Sequence, residues 1–141
     1  MSRIIAIDYG LRRVGLAVTD PLQYIATPLI TVPTSEILNY LKKYLEQEEV
    51  EAFVIGMPYR LDGQVSLLMD PIKQFAGQLK KFFPSKPIFQ QDERYTSKLA
   101  AASMLEAGFK KKDRRNKSHL DKLSATIILQ SFLNSYKRTS I

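Results

Sequence analysis

The sequence predicts an α/β fold in which a layered sheet opens antiparallel and continues parallel. Three observations predict it. Arg3-Ile4-Ile5-Ala6-Ile7-Asp8 is a short apolar run of the kind found in a central strand covered on both faces. Two more extended runs follow before any helical pattern, which is not the opening of a nucleotide-binding βαβ unit. Strand, helix and strand patterns then alternate, and a right-handed parallel crossover is the expectation for them.

The elements follow in order. Val14 to Asp20 reads as the second strand, joined to the first through Leu11-Arg12-Arg13 as an antiparallel hairpin. Pro21 ends it. The third extended piece lies within Ile25 to Val32, centred on Leu29-Ile30-Thr31-Val32 and closed by Pro33. Thr34 or Ser35 is placed to cap a helix reaching about Glu48, with Ile37, Leu38, Leu41, Tyr44 and Leu45 on one face. Ala52-Phe53-Val54-Ile55 is the fourth strand, and it runs into a turn-rich loop from Gly56 to Gly63. Ser66 to Phe83 is helical in pattern. Asp70-Pro71 either starts that helix or kinks it. Pro87 to Gln91 is a short fifth strand ending in Asp92-Glu93-Arg94. Thr96 caps a helix to about Ala107, with Gly108 past its end, and the last helix spans Ser118 to about Tyr136.

The 141 residues suit one domain, taken as 1–136 with a disordered tail at 137–141. There is no cysteine and one histidine, His119, which excludes thiolate zinc sites, cysteine nucleophiles and histidine-rich metal sites. A metal here would be held by oxygen ligands, which favours Mg²⁺ or Mn²⁺. No apolar run approaches the roughly 18 residues of a membrane span. The N-terminus lacks signal-peptide features, and a cytoplasmic protein is expected. Net charge is +7, and the run Lys110-Lys111-Lys112-Asp113-Arg114-Arg115-Asn116-Lys117 holds +5 of it. A concentrated basic segment on a near-neutral body is a footprint for a polyanion, although a solvated loop has the same composition.

Three acidic positions stand out by location. Asp8 ends the first strand, Asp92 and Glu93 end the fifth, and Asp121 lies in the first turn of the last helix. At 100° per residue, Asp121 shares a stripe with Ala125, Ile128 and Phe132, so its carboxylate points toward the sheet. Asp92 and Glu93 point to opposite faces of an extended segment, so one of them at most joins Asp8. Carboxylates from two strand ends and a helix start repel one another unless cations neutralise them. Two Mg²⁺ ions about 4 Å apart serve that purpose in phosphodiester hydrolysis.

The chain resembles the YqgF family, also described as Holliday-junction-resolvase-like proteins and candidate pre-16S rRNA nucleases, within the ribonuclease H-like superfamily. Ala6-Ile7-Asp8-Tyr9-Gly10 with Arg13 to Ala17, Gly56-Met57-Pro58 with Asp62-Gly63, Asp92 to Ser97, and Asp121 with Ala125, Ile128, Leu129 and Gln130 carry the resemblance. Ser124 stands where the family more often has alanine. The resemblance implies a ribonuclease H-like five-stranded mixed sheet flanked by helices. It implies a metal-dependent nuclease site of Asp8, Glu93 and Asp121, and so favours Glu93 over Asp92. Processing of the 5′ end of pre-16S rRNA is the implied role, within pre-ribosomal particles, by a monomer or weak homodimer. Resolution of branched DNA is the alternative, and a non-catalytic nucleic-acid-binding assembly factor a further one.

Arg13, Arg94, Lys110, Lys111, Lys112, Arg114, Arg115 and Lys117 are the candidate backbone-binding residues. Gly10 and Gly15 suit either hairpin turns or close approach of a phosphate. Tyr9 is read as a packing residue, and His119 as pointing away from Asp121.

Overall fold

A computed structural model gives the architecture and describes residues 2–58, 67–92 and 117–139; of the last stretch, the side chains of 117–120, 122 and 136–139 lie outside the description. Among the described residues are five strands: β1 (Arg3–Asp8), β2 (Arg13–Thr19), β3 (Ala26–Pro33), β4 (Val50–Met57) and β5 (Ile88–Asp92). The helices are α1 (Ile37–Gln47), α2 (Met69–Phe82) and α3 (Lys117–Thr139). One mixed sheet runs in the order β3-β2-β1-β4-β5. β1 pairs antiparallel with β2, and β2 with β3, while β1, β4 and β5 run parallel. The apolar opening run is therefore the middle strand, as its lack of polar alternation requires.

Two cores sandwich the sheet. Ile5 and Ile7 of β1 meet Phe53 and Ile55 of β4 under Ile37 and Leu41 of α1 and Ile72, Phe75 and Leu79 of α2. Ile4 and Ala6 point the other way, onto Ala125, Ile128, Leu129, Phe132 and Leu133 of α3. Burying each of the larger side chains contributes roughly 1.5–3 kcal/mol. The α3 face includes four small residues, Ala6, Ala17 and Ala52 on the strands and Ala125 on the helix. Small side chains on both partners let a helix ride close to a sheet. That closeness sets the position of Asp121.

Several boundaries differ from the sequence reading, each for a local reason. β3 begins earlier, at Ala26, and carries Pro28 and Pro33. It is an edge strand, where proline removes no ladder bond, and its pairing shifts register between Leu16 and Ala17 of β2. Thr34 does not cap α1; it opens a 3-10 turn, and its hydroxyl donates to the Gly10 carbonyl at 2.7 Å. α2 starts at Met69, so Pro71 falls within its first turn, where a missing N–H costs nothing. α3 continues past Tyr136 to Thr139, into residues assigned to a tail. The helix expected from Thr96 to Ala107 lies outside the described residues. No described helix is long and apolar enough to cross a membrane.

Candidate nucleic-acid and metal site

The C-terminal ends of β1, β4 and β5 share one edge of the sheet with the start of β2. β1 has no extended continuation beyond Asp8, and Gly10 makes the turn tight. A Cβ on Gly10 would lie 2.6 Å from the Arg13 carbonyl oxygen, closer than any side chain tolerates. The chain reverses there and β2 begins at Arg13.

Alternation along β1 puts Asp8 on the face of Ile4 and Ala6, the face that α3 covers. In β2 the same face takes Arg13, Gly15 and Ala17, while Val14, Leu16 and Val18 enter the opposite core. Asp8 and Gly15 are register partners, so their Cα atoms are about 4.5–5.5 Å apart. Gly15 in turn sits directly beneath Asp121, which the start of α3 at Lys117 puts just past the first helical turn. A Cβ there would fall 2.2 Å from the Asp121 carbonyl oxygen and 2.4 Å from its carbon. Gly15 is thus neither a hairpin residue nor bare space for a phosphate. It is the gap that lets the Asp121 backbone descend onto the strand opposite Asp8.

The Asp121 side chain has a cation already. The Arg13 Nε donates to its Oδ2 at 2.5 Å, with the two side chains 36% and 24% exposed. A pair open to water to that extent is worth about 1 kcal/mol or less. Its consequence is mainly one of direction, since Arg13 leans over α3 rather than out to solvent. Gly10, Leu11, Arg12, Arg13, Leu68 and Asp121 line an open cleft of about 370 Å³ beside the pair. Arg12 and Leu11 are exposed at its rim. Tyr9 packs inward, its ring 4.9 Å from that of Phe75, as expected of a packing residue.

The fifth strand refines the expectation for the third carboxylate. β4 lies between β1 and β5, so the end of β5 is two strand spacings, roughly 10 Å, from the end of β1. Asp92 pairs with Met57 and has the parity of Ile88, which packs on the α1 and α2 side. It therefore faces away from Asp8. Glu93, Arg94, Lys110, Lys111, Lys112, Arg114 and Arg115 lie outside the described residues, as does the side chain of Lys117. Among the described residues no three acidic or imidazole groups form a metal cluster.

Two features escaped the sequence reading: the seating of α3 on Gly15 and the Arg13–Asp121 pair. A signal for both was present. Arg13-Gly15-Ala17 alternates with Val14-Leu16-Val18, which marks a strand with one large apolar face and one small face crowded by a helix.

The comparisons with known proteins agree with this architecture. A protein of Amoebophilus asiaticus named "Putative pre-16S rRNA nuclease" is 62% identical over 138 residues, covering 98% of each chain. One of the same name from Bacteroides fragilis is 53% identical over 135 residues, covering 96% of this chain and 98% of its own. Among solved structures, the fowlpox virus resolvase bound to Holliday junction DNA superposes with a TM-score of 0.58 at 10% identity, over 95% of this chain and 98% of that one. RuvC of T. thermophilus with a Holliday junction substrate gives 0.57 at 16% identity, over 97% and 96%. At such identities these two speak for the fold, a resolvase-type ribonuclease H-like sheet. The family model "RuvX: Holliday junction resolvase" matches residues 2–135. That span takes in both carboxylates, Gly15 and the whole sheet, and the chain belongs to the RuvX family, the YqgF family of the motif resemblance.

Proposed function

We propose that the protein is a divalent-metal-dependent nuclease whose substrate is precursor 16S ribosomal RNA. The observation that carries this is that Asp8 and the Asp121 backbone both adjoin Gly15, beside an open cleft that Asp121 lines. Asp8 and Asp121 are partly buried carboxylates, one at a strand end and one near a helix start, and bringing them together favours positive charge beyond the Arg13 contact. Their hard oxygens suit Mg²⁺ or Mn²⁺, and the cleft that Asp121 lines has room for a hydrated ion. Asp8 and Asp121 would hold the metal, with Glu93 as a third ligand. Bound there, divalent ions supply activated water and stabilise the leaving oxygen.

The remaining roles belong to the chain. The tight turn at Gly10 leaves Arg12 and Arg13 at the cleft rim, where they meet phosphate oxygens without reading bases. Arg94, Lys110, Lys111, Lys112, Arg114, Arg115 and Lys117 extend that grip along the backbone. The small-residue face under α3 holds Asp121 at fixed height over β2. The site works in the cytoplasm, where precursor ribosomal RNA is made and assembled.

RNA is favoured by the names of the most similar relatives. Cleavage of four-way DNA junctions is the second reading, favoured by the family's description and by neighbours solved with such DNA. Cleavage of precursor 16S rRNA and of a four-way junction, each with Mg²⁺, Mn²⁺ or EDTA, decides between them. Metal-dependent trimming of the RNA with an intact junction is expected. Junction cleavage with intact RNA would overturn the substrate assignment, and cleavage of neither would overturn the nuclease reading.

A further inference from the structure

We propose that Arg13 is an exchangeable counter-ion that holds Asp121 until metal arrives and then moves to a substrate phosphate. The inference rests on the metal-nuclease reading and adds to it an order and a partner switch. Three observations carry it.

First, Arg13 and the proposed ligand are in direct contact. The Nε of Arg13 lies 2.5 Å from Asp121 Oδ2, on a carboxylate that the metal would need. A guanidinium on Oδ2 and a divalent ion on the same carboxylate draw on the same negative charge, and they exclude one another where the ion takes Oδ2. Secondly, the pair is poised for exchange. Both side chains are partly exposed, 36% and 24%, so neither charge is stranded when the contact opens. Thirdly, Arg13 already lines the cleft in which the substrate would lie, with Arg12 and Gly10. A rotation about its side-chain bonds carries the guanidinium from Asp121 toward the cleft while its backbone stays fixed by pairing with Pro33. In the proposed exchange Arg13 neutralises Asp121 before metal binds. With metal bound, that duty passes to the ion, and the released guanidinium meets the phosphate.

A brace and an exchangeable counter-ion differ in sign. If Arg13 only positions Asp121, losing it weakens metal binding. If Arg13 competes for Asp121, losing it strengthens metal binding and weakens nucleic-acid binding. The experiment titrates Mn²⁺ into wild type, Arg13→Gln and Asp121→Asn without nucleic acid, by calorimetry or by the electron paramagnetic resonance of free Mn²⁺. It then measures binding of a 2′-O-methyl phosphorothioate RNA hairpin in saturating Mn²⁺, with circular dichroism as a check on folding. Arg13→Gln is expected to bind Mn²⁺ on the order of fivefold more tightly, the scale of a partly exposed charge pair, and the hairpin several-fold more weakly. Unchanged or weaker Mn²⁺ binding by Arg13→Gln overturns the proposal, and so does unchanged hairpin binding. Asp121→Asn separates the two levels. If it leaves Mn²⁺ affinity at the wild-type value, the metal reading itself falls. If it weakens Mn²⁺ while Arg13→Gln fails to strengthen it, only the exchange falls.

Discussion

Gly15→Ala tests the seating of α3 most sharply. The substitution adds one methyl group to an extended strand residue, a change that is mild in most strands. Here the new Cβ would lie 2.2 Å from the Asp121 carbonyl oxygen, 2.4 Å from its carbon and 3.0 Å from its Cβ. The obstacle is helix backbone, which cannot turn aside as a flexible side chain can. To regain an ordinary separation of 3.4 Å, the α3 backbone at Asp121 must retreat by about 1.2 Å. The rest of α3 is anchored through Ala125, Ile128 and Leu129, all essentially buried, so the retreat is a local tilt against a packed core. Overpacking of this kind costs about 1–3 kcal/mol. It also shifts Asp121, the proposed metal ligand, and a misplacement of about 1 Å at a reaction centre costs on the order of a hundredfold in rate. The assay is thermal unfolding beside cleavage of the preferred substrate at a temperature where the variant is fully folded. Both the melting temperature and the rate are expected to fall, the rate by more than partial unfolding explains. Wild-type stability together with wild-type cleavage in Gly15→Ala would refute the close seating of α3 on Gly15.

Three further outcomes are expected. Leu129→Ala hollows the core under α3, where Leu129 is fully buried, and should lose about 2–5 kcal/mol while the folded fraction keeps its cleavage rate; denaturant unfolding with cleavage per folded molecule checks both. Asp20 accepts backbone N–H bonds from Tyr24 and Ile25 at 2.8 Å, and the Ile25 bond above all holds its carboxyl below the usual value of 3.8. A depressed folded pKa gives stability that is present above the unfolded value and lost as pH falls through the folded one; the β2–β3 turn should therefore loosen only below about pH 4 in wild type and at neutral pH in Asp20→Ala, as amide exchange at Tyr24 and Ile25 would report. Replacing Lys110, Lys111, Lys112, Arg114 and Arg115 by glutamine should flatten the salt dependence of nucleic-acid binding, by roughly 0.7–0.9 in log–log slope for each phosphate no longer neutralised; an unchanged slope would show that the basic run is solvated only.

The fold was legible because its signals are local and mutually consistent. The unbroken apolar run of β1 marked a strand covered twice, and it is the middle of the sheet. The stripe through Asp121, Ala125, Ile128 and Phe132 marked the inward face of the last helix, and those apolar residues are buried on the sheet. What the sequence withheld depends on long-range placement. Thr34 has the chemistry of a helix cap, yet its hydroxyl reaches Gly10, because the end of β3 lies beside the β1–β2 turn. Gly15 has the look of a hairpin glycine, and only the descent of α3 reveals why a side chain is intolerable there. Arg13 is a generic basic residue in the sequence, and its carboxylate partner is 108 positions away. The resemblance favoured Glu93 over Asp92, and the side that Asp92 takes needed the strand pairing as well as parity. Strand parity turns Asp92 to the face opposite Asp8, which leaves Glu93 as the proposed third ligand.

Cleavage by Asp8→Asn beside wild type, on precursor 16S rRNA with Mg²⁺ or Mn²⁺, bears most directly on the proposed metal-nuclease site. Asparagine keeps the shape of the side chain at the end of β1 and removes the charge a divalent ion needs. The variant is expected to fold with the wild-type circular dichroism spectrum, to bind RNA, and to cleave no faster than wild type in EDTA. A folded Asp8→Asn protein that cleaves at the wild-type rate would contradict a metal centre built on Asp8 and Asp121.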